Sequence, residues 1–61
     1  MKIKVEYSEG AGCVASYCEE WFEEFESIME MVAFMKKFEE RFPDAEVSFH
    51  SDGVLSIGRE L

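Results

Sequence analysis

Three side chains in this 61-residue chain have the chemistry to hold a soft metal or to attack an electrophile: Cys13, Cys18 and His50. A structural zinc site takes four ligands, usually with cysteines in repeated pairs that have two to four residues between them. Here the spacing is a single Cys-x4-Cys with one distant histidine. Asp52, a fourth donor by type, belongs to the turn pair Asp52-Gly53. A Cys–His nucleophile pair needs Cys13 at a helix start with His50 in reach. The alternation around His50 instead places it on a sheet face turned away from any helix. Gly10-Ala11-Gly12 lacks the third glycine of a dinucleotide loop and the Gly-Lys-Ser/Thr of a phosphate loop. Glu19 and Glu20 behind it would repel a phosphate. No catalytic residue, metal ligand or cofactor is expected. Cys13 reads as a loop residue and Cys18 as a core residue, both reduced, and a Cys/His metal or redox protein is the remote alternative.

The abundant ionisable group is the carboxylate. Fourteen acidic residues against six basic ones give a net charge of −8. That charge disfavours direct nucleic-acid binding, which runs on Lys and Arg displacing counterions, and adhesion to anionic membranes. It suits a protein partner with a basic surface. Glu19, Glu20, Glu23, Glu24, Glu26 and Glu30 crowd one segment. On a helix, carboxylates at i, i+3 and i+4 recur every ~5–6 Å, close to the phosphate spacing along one nucleic-acid strand. The plainer alternative is a solvated face that keeps a small protein soluble.

These residues need elements to carry them. Residues 2–7 alternate, with Ile3, Val5 and Tyr7 on one side and Lys2, Lys4 and Glu6 on the other, as in a half-buried strand. Ser16 and Glu19 have the spacing of a capping box, and Phe42-Pro43 marks a helix end, so a helix is expected from Ser16 to Phe42. Residues 45–58 read as a hairpin turning at Asp52-Gly53. Val47 and Phe49 face Leu55 and Ile57, with Ser48, His50 and Ser56 behind. The expectation is an α+β domain over residues 1–61 in the order β-α-β-β. One long amphipathic helix, whole or broken near residues 29–32, packs on a three-stranded mixed sheet whose first two strands run parallel.

The expected helix carries more apolar surface than such a sheet covers. Rows at a seven-residue period run through Val14, Trp21, Ile28, Met35 and Phe42, and through Cys18, Phe25 and Val32. At 1.5 Å per residue the segment would be ~40 Å long, against strands of ~20 Å. Trp21, Phe22, Met29, Phe34 and Phe38 are therefore expected to form a hydrophobic association surface, with a homodimer as the favoured outcome. Glu26-Ser27-Ile28 spells the tripeptide that uracil-DNA glycosylase inhibitors insert into their target. In that family it sits on an extended edge, here it reads as mid-helix, and three residues carry no family assignment.

No apolar run approaches the ~18 residues needed to cross a bilayer, and the N-terminal lysines precede no apolar segment of a signal peptide. The sequence thus points to a cytoplasmic, non-enzymatic, acidic protein-binding module. Its most concrete form is a small phage-type inhibitor that blocks a basic nucleic-acid-binding partner by mimicking nucleic acid. The alternative is a self-associating assembly module with no inhibitory role.

Overall fold

The computed structural model describes residues 1–11 and 14–60, residues 14 and 15 by backbone alone. Four strands and one helix follow in the order β1 (Lys2–Ala11), β2 (Val14–Glu24), α1 (Ile28–Arg41), β3 (Ala45–Phe49) and β4 (Val54–Glu60). The strands form one sheet in the order β2-β1-β4-β3. β1 pairs antiparallel with β2 and parallel with β4, and β4 pairs antiparallel with β3.

The chain is α+β with one helix packed on a mixed sheet, but the sheet has four strands where three were expected. The first third of the expected helix, from Ser16 to Glu24, lies in strand β2. The ambiguity is physical. Tyr17, Trp21 and Phe25 are four apart, so they share a face both on a helix and on a strand. What separates the two is the glutamate pairs: Glu19-Glu20 and Glu23-Glu24 stay neighbours on a helix but split across the faces of a strand. The aromatic and β-branched content of residues 14–25 favours the strand. The extra strand also reverses the chain before the helix. As a result β1 is antiparallel in direction to β3, not parallel as expected, and β4 lies between them.

The helix begins at Ser27, which caps it in extended backbone and accepts a hydrogen bond on its Oγ from the Glu30 N–H at 3.2 Å. Ser27-Ile28-Met29-Glu30 is itself a capping-box pattern. Ser16, the expected cap, instead donates its hydroxyl to the Glu9 carbonyl within the β1–β2 hairpin. The far end agrees with the expectation: Phe42, held out of the α region by Pro43, donates its N–H to the Phe38 carbonyl at 2.9 Å. Fourteen residues give a helix of ~21 Å, which fits a body of 34 × 22 × 17 Å with no overhang.

Met31, Phe34, Met35 and Phe38 form the inward stripe of α1 at helical spacing. They meet Ile3, Val5, Leu55, Ile57 and Val47 on one face of the sheet, with Phe25 closing the end. Val5, Leu55 and Ile57 are essentially inaccessible, and burial of each such side chain contributes ~1.5–3 kcal/mol. The β3–β4 pairs Val47–Ile57 and Phe49–Leu55 are as expected. The turn between them is longer than two residues: Gly53, at φ 88°, donates its N–H to the His50 carbonyl at 3.0 Å, and Asp52 accepts from the Val54 N–H.

Candidate functional site

β2 is the edge of the sheet next to β1 and has one neighbour among the described residues. Its alternation sends Glu19 and Glu23 to the helix side and Glu20 and Glu24 to the other, because their β1 partners are Tyr7, Ile3, Glu6 and Lys2. The six expected carboxylates therefore do not line one helix face. Four flank an edge strand, Glu26 is exposed in the link to the helix, and Glu30 lies exposed in its first turn. Glu23 is half-buried and the other three on β2 are exposed.

On the helix side, aromatic donors hold the carboxylates. Tyr17 donates to Glu19 at 2.6 Å, the Trp21 indole N–H donates to Glu23 at 2.8 Å, and Tyr7 donates to Glu9. Each pair is two apart on one strand, so donor and acceptor share a face. The bonds to Glu9 and Glu19 raise the Tyr7 and Tyr17 phenols above the ordinary tyrosine range, since the phenolate would lose its donor role beside a carboxylate. The same pairing explains how acids and aromatics occupy one face.

Among the described residues, no helix covers the opposite face. Register aligns it in rows: Glu20, Glu6, Ser56 and Ser48 in one, and Cys18, Ser8, Gly58 and Glu46 in the next. Between them lies an open trough of about 720 Å³. Lys4 reaches Glu20 at 3.0 Å, and this bond holds the Glu20 carboxyl below its usual range and raises the Lys4 ammonium. The pair also relieves the like-charge opposition of Glu20 and Glu6. Beyond Lys4 lie Phe22 and Val54, and Lys2 stands 5.0 Å over the Phe22 ring.

The expected association residues divide. Trp21, Phe34 and Phe38 are half-buried against the core, where ring centroids lie 5.4 Å apart for Phe25–Phe34 and 6.4 Å for Phe34–Phe38. Phe22 and Met29 are exposed at 61% and 82%, and Ile28 at 55%. The surplus that motivated a dimer rested on a 27-residue helix over three strands. A 14-residue helix over four strands removes most of it.

The two described soft ligands, Cys18 and His50, lie apart. Cys18 is exposed on β2, not in the core, while His50 lies by the opposite edge, its ring bonded to the Ser56 and Ser48 hydroxyls at 3.0 and 3.4 Å. Cys13 and Gly12 lie outside the described residues, and Gly10 belongs to β1 at a register shift. Among the described residues, no three His, Cys, Asp or Glu side chains gather as a metal site. Glu26-Ser27-Ile28 is not mid-helix: it spans the strand–helix junction, with Ser27 extended and Ile28 exposed.

Sequence reading missed Arg59. Its guanidinium forks onto Asp44 at 3.1 and 3.3 Å, approaches Glu9 at 4.0 Å and stacks 4.4 Å over the Phe42 ring. The fork holds the Asp44 carboxyl below its usual range. An arginine in the last strand, one residue after a glycine, carried no local pattern to flag it. The fold brings residues 9, 42, 44 and 59 together.

No family model, curated protein or solved structure matches the chain. Among the described residues, no helix is long and apolar enough to cross a membrane.

Proposed function

We propose that this chain is a non-enzymatic acidic binding module that occupies the basic, nucleic-acid-handling surface of a partner protein, as a small phage-type inhibitor would. One observation carries the reading: Glu19, Glu20, Glu23 and Glu24 stand along a sheet-edge strand. A strand rises ~3.3–3.4 Å per residue, so the two carboxylates on each face of β2, four residues apart, stand ~13 Å from each other, about four phosphate steps of one nucleic-acid strand at ~3.4 Å of axis each. The acidic row is thus a sparse one, two carboxylates to a face, and its reach to a basic groove rests on charge at a sheet edge rather than on matching successive phosphates. The net charge of −8 steers it to a basic groove. Its place is the cytoplasm, where such partners work.

The test is competition. The full chain is titrated against complexes of basic nucleic-acid-binding proteins with labelled DNA. Uracil-DNA glycosylase is first in the panel, because its inhibitors carry the tripeptide found at residues 26–28. Displacement of DNA that falls at least about tenfold when Glu19, Glu20, Glu23 and Glu24 are changed to Gln supports the reading, tenfold being ~1.4 kcal/mol. A partner bound equally well by that variant, with no salt dependence, sinks it.

A second reading, self-association, is favoured by the outward Ile28, Met29 and Val32 at the start of α1. Light scattering separates them: a monomer at assay concentration that still displaces DNA leaves the first reading alone.

A further inference from the structure

The helix-free face has a shape as well as a charge. Its floor comes from small side chains, Ser8, Ser48, Ser56 and Gly58, with the His50 ring bonded to Ser48 and Ser56 toward the β3 edge. Glu20 on β2 and Glu46 on β3 stand at the two sides, with Glu6 between. β2 and β3 are three strand spacings apart, roughly 14 Å at ~4.7–4.9 Å each. An α-helix with its side chains is ~10–12 Å across. The next row, Phe22, Lys4 and Val54, makes one end of the face partly apolar.

We propose that this face cradles an α-helix of a partner protein, one that carries Lys or Arg toward Glu6, Glu20 and Glu46 and an apolar residue toward Phe22 and Val54. The proposal rests on the reading above, that the partner is basic, and adds which element of it docks and where. Charge complementarity selects the occupant. A second copy would bring another −8 and the same carboxylates to the contact, whereas a basic helix pairs with Glu6 and Glu46 and shares Glu20 with Lys4. The four-strand face, roughly 14 Å across, is about one helix wide.

The experiment uses the full chain and two fluorescent synthetic peptides of equal charge. One is an Ala/Arg/Leu helix locked by i,i+4 lactam bridges; the other is its unbridged counterpart interrupted by two prolines. Gly58→Leu fills the trough without changing charge, and the sheet has room for it: a Cβ there meets only the Ser8 Oγ, at 3.9 Å. Ser56→Tyr is the second filling variant should Gly58→Leu fail to fold by circular dichroism. The expected result is that the locked helix binds at least about tenfold more tightly than the interrupted peptide, and that filling the trough removes about tenfold. Changing Glu6 and Glu46 to Gln should weaken binding and flatten its salt dependence.

Equal binding of the two peptides, or indifference to both filling variants, overturns the proposal. So does a wild-type dimer that Gly58→Leu dissociates. Glu19 and Glu23, on the helix side, provide the discriminating arm. If their neutralisation abolishes partner binding while the filled trough does not, the edge-strand reading stands and the trough proposal alone falls. If neither matters, both fall.

Discussion

Leu55 and Ser56 are neighbours in β4, and they face opposite surroundings. Leu55 is inaccessible beneath α1, while Ser56 floors an open trough. The contrast extends across the sheet. The helix side joins Val5, Leu55 and Ile57 to aromatic rings that carry their own carboxylate partners. The open side has serines, a glycine and carboxylates, one of them tied to Lys4. One set of strands thus encodes a stabilising surface and a surface free of packing duties. The alternation of a strand lets the two be specified independently, so residues on the open side can answer to a partner without cost to the core.

The largest effect should come from the covered face. Leu55→Ala should remove ~2–5 kcal/mol of stability by urea denaturation, through lost burial and the cavity left behind. A domain of this size holds roughly 3–9 kcal/mol, at ~0.05–0.15 kcal/mol per residue, so the variant should be partly unfolded in water. Ser56→Ala, one residue on, should stay within about 0.5 kcal/mol of wild type. A loss from Ser56→Ala approaching that of Leu55→Ala would break the comparison.

Ser27→Ala should cost about 1 kcal/mol by leaving the Glu30 N–H unpaired at the helix start. Ser16→Ala should cost far less, since Ser16 caps nothing; the reverse order would restore the longer helix. Gly53→Ala should also cost about 1 kcal/mol. Apart from its chain neighbours, no atom of the described residues lies within 4 Å of an added Cβ, so the penalty comes from the positive φ.

The smallest effects are those of pH, and they sharpen the contrast between the faces. Asp44, forked by Arg59 on the helix side, and Glu20, bonded to Lys4 on the open side, both have lowered carboxyl values. Each contributes stability that is present above the ordinary carboxylate range and lost as pH falls through its lowered value. Salt should weaken the exposed Glu20 pair and spare the Asp44 fork stacked on Phe42 more. Tyr7 and Tyr17 are raised, so their contribution is present below the ordinary tyrosine range and fades as pH climbs through the raised values. Side-chain NMR titration at low and high salt, with ultraviolet titration of the phenols, reads all four. An Asp44 carboxyl that titrates like a free aspartate would contradict the Arg59 geometry.

Much of the fold was legible in local patterns. β1, the pairing of Val47 and Phe49 with Leu55 and Ile57, and the helix end at Phe42-Pro43 all follow from alternation and from proline sterics. β2 did not, because Tyr17, Trp21 and Phe25 satisfy two periodicities at once. Ser27 and Glu30 have the same spacing as Ser16 and Glu19, and only the fold decides which pair caps the helix. Of the site, the acidic residues were legible as a group, while their division between two faces required knowing the period.

Composition and patterning alone fix an acidic chain, rich enough in apolar residues to fold, that puts a helix against a sheet. They act through free energies local to each segment: turn chemistry, capping, side-chain alternation. The period of residues 16–24, the trough between Glu20 and Glu46, and the Arg59 fork depend on contacts between residues far apart in the chain. An isolated strand has no hydrogen-bonded partner of its own, so residues 16–24 become one only because β1 lies alongside to accept them.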